Sequence, residues 1–411
     1  MYFSRHIEPV VERIAKRKPV LVLTGPRQVG KSTMLRTVYR DINYVTMNRP
    51  LVRESAKENP SLFFDINKPP VIVDEIQKAA DIFDYIKDIV DEDLEKKKGL
   101  FYLTGSQSMK LMKNVSDSLA GRAGIIKMLG LSMRELAFIK YRGSFLPADE
   151  HMSEMAKTGT RFDYGNIASC IHKGFFPELY EKECSLHDWA DFYSSYFQSY
   201  IEKDIRDVLN IQDESAFIRF VRASASLTGG MLNLSTMAGI CGKDVKTIRA
   251  WLSVLESSGL VYLLEPYYNN VSKRLVKTPK LYFLDTGLAC WLLGWNTPEQ
   301  LTNGAMWGPL FETFVFAEIL KSYYNDGIAR PALFYYRDND KKEIDLLIEE
   351  GDLLYPVEIK TTSDPVKSMV SSFRCIERIP GKKRGTGAIV CMAKERLPLC
   401  DNVWTLPASM I

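Results

Sequence analysis

No stretch of the 411-residue sequence approaches the roughly 18 consecutive apolar residues that a membrane span requires, so no membrane partner is expected. The opening residues, Met1 to Pro19, alternate charged with apolar side chains. They lack the apolar segment and small-residue cleavage site of a secretory leader, which makes the cytoplasm the expected location. Cysteine is sparse and scattered: the seven residues Cys170, Cys184, Cys241, Cys290, Cys375, Cys391 and Cys400 are odd in number and never spaced as CxxC. That pattern argues against a disulfide framework and against a zinc site. Charge of one sign is also lacking, since 54 basic against 51 acidic residues leave +3. Contact with nucleic acid therefore has to come from local patches rather than from a global field. Neither internal repeats nor low-complexity tracts occur, so the organisation is read from changes in hydrophobic period.

Four segments follow from that reading. In residues 1–130, short β-rich runs (Val20 to Thr24, Tyr44 to Met47, Val71 to Val73, Leu100 to Leu103) alternate with helical stretches, as in a parallel sheet covered by helices. Residues 131–227 read as helical. There Trp189, Phe192, Tyr193, Tyr196, Phe197, Tyr200 and Ile201 recur at helical spacing and predict a packing face. Residues 228–294 read helix, turn, helix and then two strands, Leu260 to Leu264 and Leu281 to Leu284, around the polar segment Tyr267 to Lys280; this order predicts a winged helix-turn-helix. Asn, Thr, Pro and Gly between Trp295 and Pro309 predict a linker opening a last α/β unit, residues 295–411.

The strongest local signal is Gly25-Pro26-Arg27-Gln28-Val29-Gly30-Lys31-Ser32, followed by Thr33. It fits GxxxxGK[ST] and lies between an apolar strand and a helix, the context such a motif requires. Glycines let backbone N–H groups wrap an anion and the helix N-terminus adds its dipole. Lys31 reaches the terminal phosphates, and Ser32 supplies an oxygen to Mg²⁺. Pro70 to Glu75 supplies a second strand ending in two carboxylates. Asp74 is expected to hold Mg²⁺ through water and Glu75 to orient and polarise the attacking water, so hydrolysis is expected as well as binding. From the neighbouring strand, Thr104 or Ser106 can sense the γ-phosphate, and Arg122 is a candidate for stabilising transition-state charge in this or an adjacent subunit.

At these residues the chain resembles prokaryotic AAA-type ATPases of the extended P-loop class, whose C-terminal half was long labelled a domain of unknown function. The likeness covers nearly the whole chain. Besides GPRQVGKS and VIVDEIQ it rests on LTGSQS, SLAGR, GFFPEL (Gly174 to Leu179), YIEKDIRD (Tyr200 to Asp207), EIDLL and VEIK. The resemblance implies ATP with Mg²⁺ as cofactors and a helical lid for residues 131–227. Rings are common in the family, so a homo-oligomer is one expectation and a monomer the other.

In the third segment, Asn233 or Ser235 can cap a first helix, Gly242 gives the turn and Asp244 caps a second. Ile248, Trp251, Leu252 and Leu255 form its inward face, while Lys246, Arg249, Ala250 and Ser253 share a small, basic outer face suited to the major groove. Lys273, Arg274 and Lys277 on the wing can meet phosphates beside it. The same fold inside an ATPase also serves as a protein-packing module.

In the last segment, Glu343 to Ile348 and Tyr355 to Lys360 read as hairpin strands, carrying Asp345 and the pair Glu358 and Lys360. A helix opened by Gly308 and Pro309 can bring Glu312 to the same place. This array resembles the PD-(D/E)xK nuclease core of the restriction-endonuclease-like fold, with Glu312, Asp345, Glu358 and Lys360 at its motif positions. The resemblance implies a divalent metal between Asp345 and Glu358 with phosphodiester cleavage, or a domain that has lost cleavage and retains binding. The expected fold class is therefore α/β: a P-loop NTPase parallel sheet with a helical lid, a winged helix-turn-helix and a C-terminal restriction-endonuclease-like α/β domain. The expected function is ATP hydrolysis driving conformational change on DNA or RNA; the alternative is a nucleotide-dependent switch whose C-terminal half binds a protein without cutting.

Overall fold

The computed structural model describes residues 2–92, 98–106, 109–158, 163–200, 213–268 and 278–411. The chain divides into two compact units, the first made of residues 1–131 with 257–259 and 324–329, the second of the remainder.

The first unit is built on a five-stranded sheet in the order β2-β3-β4-β1-β5. Its strands are β1 (Val20–Gly25), β2 (Asn43–Thr46), β3 (Val71–Asp74), β4 (Phe101–Ser106) and β5 (Ala123–Lys127), and every pairing is parallel. Helices cover the sheet, and β1, β3 and β4 are buried along their whole length, which explains why they read as unbroken apolar runs. Val20, Val22, Val71, Val73, Phe101 and Leu103 form the centre of the core with Phe83 and Ile86 from the helical side. β1 lies between β4 and β5, so the loop after Gly25 emerges at the carboxyl ends of the strands, where open α/β sheets place their ligands.

The second unit opens at Ser132, which caps a short helix: Ser132 Oγ accepts from Glu135 N at 3.2 Å and Glu135 Oε2 accepts from Ser132 N at 2.8 Å. The aromatic stripe on helix Leu186–Tyr196 is a packing face, with Trp189, Phe192, Tyr193 and Tyr196 all buried. Of residues 131–227, expected to form a lid, all but Leu131 belong to the same compact unit as the C-terminal half, and Ile201 and most of Tyr200 to Asp207 lie outside the described residues.

Helices Glu214–Ser226, Leu234–Cys241 and Val245–Ser257 then pack beside a three-stranded antiparallel sheet of β6 (Gly230–Met231), β7 (Val261–Leu264) and β8 (Lys280–Phe283). Trp251 meets Phe217 and Phe220 with ring centroids 5.4 Å apart in each pair. Trp295 to Pro309 is not a free linker: Thr297 caps a helix over Pro298–Thr302, and Leu301 is fully buried.

The last strands, β9 (Leu333–Arg337), β10 (Glu343–Glu350), β11 (Leu353–Ile359), β12 (Lys383–Arg384), β13 (Gly387–Cys391), β14 (Pro398–Cys400) and β15 (Val403–Pro407), make a seven-stranded mixed sheet. Helix Trp307–Asn325 precedes it, and β9, β10 and β11 form an antiparallel meander.

Candidate nucleotide site and C-terminal carboxylate cluster

The loop after β1 turns on two glycines. Gly30 takes φ of 91° at the start of helix Lys31–Val38, and a Cβ on Gly25 would collide with the Met128 carbonyl oxygen, so a glycine is required there. Gln28 also sits at positive φ, 61°. Lys31 is buried and donates to the loop's own carbonyls, Gly25 O at 3.0 Å and Pro26 O at 2.6 Å. Burial lowers its pKa to about 8, against the pull of Glu75 and Asp74. The ammonium is thus held inside the loop, with a desolvation cost that an incoming phosphate oxygen would relieve.

Asp74 closes β3 and is surrounded by hydroxyls. Ser32 and Thr104 both donate to Oδ1, while Tyr44 and Thr46 donate to Oδ2 at 2.8 and 3.2 Å. Burial and the bond to Asp74 push the Tyr44 phenol up to about 12, which keeps it a donor. Ser32 Oγ and the Asp74 carboxylate are hard oxygen donors side by side, a set that fits Mg²⁺. Glu75, at φ of 56°, is turned out of the strand direction, and Gln77 Nε2 donates both to its Oε2 and to Ser106 Oγ, the latter at 3.1 Å. An outlying backbone angle at a carboxylate beside this anion loop is the kind of strain that marks functional positions.

Motif reading gave no role to Tyr44, Thr46, Gln77 or Arg5, although Gln77 closes the VIVDEIQ segment. Arg5 is buried and clamps the loop from behind: Nη1 donates to Val29 O at 2.8 Å, and Nη2 to Leu129 O at 2.8 Å and Gly130 O at 3.0 Å. Arg122 departs from its expected place within the chain. It precedes β5 at the end of the sheet where Val20 pairs with Ala123, opposite the phosphate loop, and its Nη2 pairs with Asp91 at 2.8 Å.

In the second unit, Glu312, Asp345, Glu358 and Lys360 come together. Antiparallel β10 and β11 pair Leu346 with Val357, which places Asp345 and Glu358 at the next position along the hairpin. A register shift against β9 between Ile344 and Leu347 marks an irregularity over Asp345 and Leu346. Asp345 Oδ2 accepts from Ile359 N at 2.9 Å and Lys360 Nζ at 3.1 Å, and Lys360 also pairs with Glu358 at 2.7 Å. A fifth residue, not foreseen, occupies the centre. Lys280, the first residue of β8 and 3% exposed, lies 3.0 Å from Glu312, 2.7 Å from Glu343 and 3.7 Å from Asp345. Tyr282, two positions along the same strand, donates to Glu312 at 2.6 Å.

Burial, then the charge of Asp345, raises the Glu358 pKa to about 8. Its Oε2 is buried without a hydrogen-bond partner. The donor set does not fit the divalent ion expected between Asp345 and Glu358, because the Lys360 ammonium already bridges these two carboxylates and buried Lys280 pairs with Glu312 and Glu343 beside them. Among the described residues no group of three or more His, Cys, Asp or Glu side chains is arranged to hold a metal ion.

Residues 17–137 match the AAA domain. Residues 165–299 match a domain of unknown function, DUF8612, and residues 307–411 another, DUF4143. Uncharacterized proteins of Mycobacterium bovis and Mycobacterium tuberculosis are each 28% identical over 408 residues, covering 98% of this chain and 82% of theirs. Among solved structures, the Walker-type ATPase of Pyrococcus abyssi is 15% identical with a TM-score of 0.42, over 71% of this chain and 96% of that one. The Holliday junction branch migration motor RuvB of Thermotoga maritima is 17% identical with a TM-score of 0.30, over 62% and 86%. By the family match, residues 17–137 are an AAA-type domain, and the two families matched further along the chain carry no assigned activity.

The helix after the Gly242 turn is Val245–Ser257. Asp244 Oδ1 accepts from Thr247 N at 2.8 Å, and Asn233 caps the preceding helix by accepting from Thr236 N at 3.0 Å. Ile248, Trp251, Leu252 and Leu255 are buried, and Lys246, Arg249, Ala250 and Ser253 are exposed. Lys273, Arg274 and Lys277 lie outside the described residues. Among the described residues no helix is long and apolar enough to cross a membrane.

Proposed function

We propose that the chain is an ATP-hydrolysing AAA-type protein whose nucleotide state drives conformational change on nucleic acid. The observation that carries the first part is Asp74 bonded to Ser32 and Thr104 at once, with Glu75 beside it held by Gln77, whose Nε2 also donates to Ser106. That grouping supports a metal-holding role for Asp74 and a water-orienting role for Glu75 beside the phosphate loop, and phosphoryl transfer is mostly positioning and charge stabilisation. In this reading the loop from Gly25 to Ser32 with Thr33 cradles the phosphates through its backbone N–H groups. Lys31 leaves the carbonyls of Gly25 and Pro26 for a phosphate oxygen. Ser32 and Asp74 hold Mg²⁺, which when bound neutralises charge on the phosphates. Glu75 orients the attacking water, and Ser106 reports on the γ-phosphate side through Gln77. Arg122 faces away within one chain, so any catalytic part for it requires an adjacent subunit.

Nucleic-acid contact is supported by the exposed Lys246 and Arg249 with small neighbours on a helix that follows a turn. A second reading, a nucleotide-dependent switch whose C-terminal half binds a protein, is favoured by Lys280 at the heart of the carboxylate cluster. Phosphate release measured with and without DNA or RNA separates the two. The first reading expects stimulation, and both expect Lys31→Ala and Glu75→Gln to abolish turnover. Full turnover in both variants would remove the ATPase assignment itself.

A further inference from the structure

The carboxylate cluster resembles a metal site in its residues but not in its charge arrangement. Glu312, Glu343, Asp345 and Glu358 bring four acidic groups together, against the cations Lys280, Lys360 and Arg337. Arg337 Nη1 lies 3.3 Å from Glu343 Oε2, and Lys360 bridges Asp345 and Glu358 from the more open side. Lys280 alone is enclosed, and its three ammonium donors face Glu312, Glu343 and Asp345. A buried ammonium without partners is strongly disfavoured, so its position is maintained by these carboxylates.

A magnesium ion needs near-octahedral oxygens at about 2.0–2.1 Å and keeps several waters. Here several of the cluster's oxygens are already committed, Glu312 Oε1 to Lys280 and Tyr282, Asp345 Oδ2 to Ile359 N and Lys360, and Glu358 Oε1 to Lys360, while Glu358 Oε2 is buried without a partner. We propose that Lys280 is the resident cation of this cluster, its ammonium standing where a divalent ion would otherwise sit. The cluster is then a closed ionic latch that fastens β8 to helix Trp307–Asn325 and strand β10, and the C-terminal domain binds without metal-dependent cleavage. The latch lies wholly in the second unit and does not depend on the reading of the phosphate loop.

The test is Mn²⁺ binding to the nucleotide-free full chain, followed by the electron paramagnetic resonance of the free ion. Wild type and Asp345→Asn are expected to bind alike, because neither has a site there. Lys280→Ala is expected to gain a site at least roughly tenfold tighter than any in wild type, lost again in Lys280→Ala with Asp345→Asn. A wild-type Mn²⁺ site that Asp345→Asn removes overturns the proposal, as does a folded Lys280→Ala protein that gains none. Should Lys280→Ala not fold, wild type against Glu358→Gln decides: equal Mn²⁺ binding supports the latch, and a loss in the variant overturns it. Mg²⁺- or Mn²⁺-dependent nicking of DNA by wild type that Asp345→Ala abolishes also overturns it.

Discussion

Gln77 donates its side-chain amide to Glu75, and the same nitrogen reaches Ser106 Oγ at 3.1 Å. An amide nitrogen has two protons, so one side chain links Glu75, the carboxylate proposed to orient the attacking water, to Ser106 at the end of β4. Gln77→Ala is expected to lower kcat by about 10²-fold through misplacement of Glu75, with KM for ATP little changed. Gly105→Ala provides a second route to the same effect, since its Cβ would lie 2.5 Å from Gln77 Oε1. A kinetic split in which KM moves and kcat does not would assign Gln77 to binding instead.

Lys31 gives the phosphate loop a pH dependence. Its pKa of about 8 in the free protein means that the ammonium is lost as pH rises through that value, and an anion binds the charged form. Affinity for a fluorescent ATP analogue in the absence of metal should fall above that pH with a limiting slope of about tenfold per pH unit. Lys31→Met should bind weakly and without this slope. The stability of the free protein runs in the opposite sense. The folded-state pKa is depressed from 10.5 to about 8, so between these values the unfolded chain binds more protons and stability rises with pH. Urea melts of Lys31→Met should lack that rise.

What sequence reading captured and missed at these sites follows one physical line. The phosphate loop and the VIVDE strand are legible because motif, strand and helix are adjacent in the chain, and β1 and β3 are buried on both faces. Asp345 and Glu358 are legible as a pair because a hairpin brings near neighbours together. Lys280 closes a polar segment and reads as a solvated loop residue, whereas the strand begins at it. Lys280 and Tyr282 therefore alternate toward Glu312, which belongs to a helix further along the chain. The aromatic stripe announced a packed helix, but the unit that residues 132–227 join depends on long-range packing that periodicity does not encode.

Arg5 offers a test of how the phosphate loop is kept in shape. Its guanidinium accounts for one hydrogen bond to each of the Val29, Leu129 and Gly130 carbonyls, with Arg5 itself 2% exposed. Arg5→Ala should leave buried carbonyls unsatisfied and cost about 1–3 kcal/mol in urea unfolding. Because Val29 is part of the loop, ATP affinity should fall by roughly tenfold in the same variant. Arg5→Lys should fall between, since a point charge cannot span the fork that a guanidinium fills. Unchanged ATP affinity in a destabilised Arg5→Ala protein would restrict the residue to stability.

The outer face of helix Val245–Ser257 decides between the two partner classes. Lys246 and Arg249 are exposed one turn apart, and Ala250 and Ser253 beside them leave room for close approach. Each phosphate that a cation neutralises releases counterions. The double variant Lys246→Glu, Arg249→Glu should therefore weaken DNA binding and reduce the slope of log K against log salt by about 1 for each phosphate no longer neutralised. Fluorescence anisotropy with duplex DNA across a salt series measures both at once. The buried face of Ile248, Trp251, Leu252 and Leu255 is untouched by the change, so the fold should persist in circular dichroism. If affinity and slope both stay at their wild-type values, this face does not read DNA, and the protein-binding switch becomes the better account of the C-terminal half.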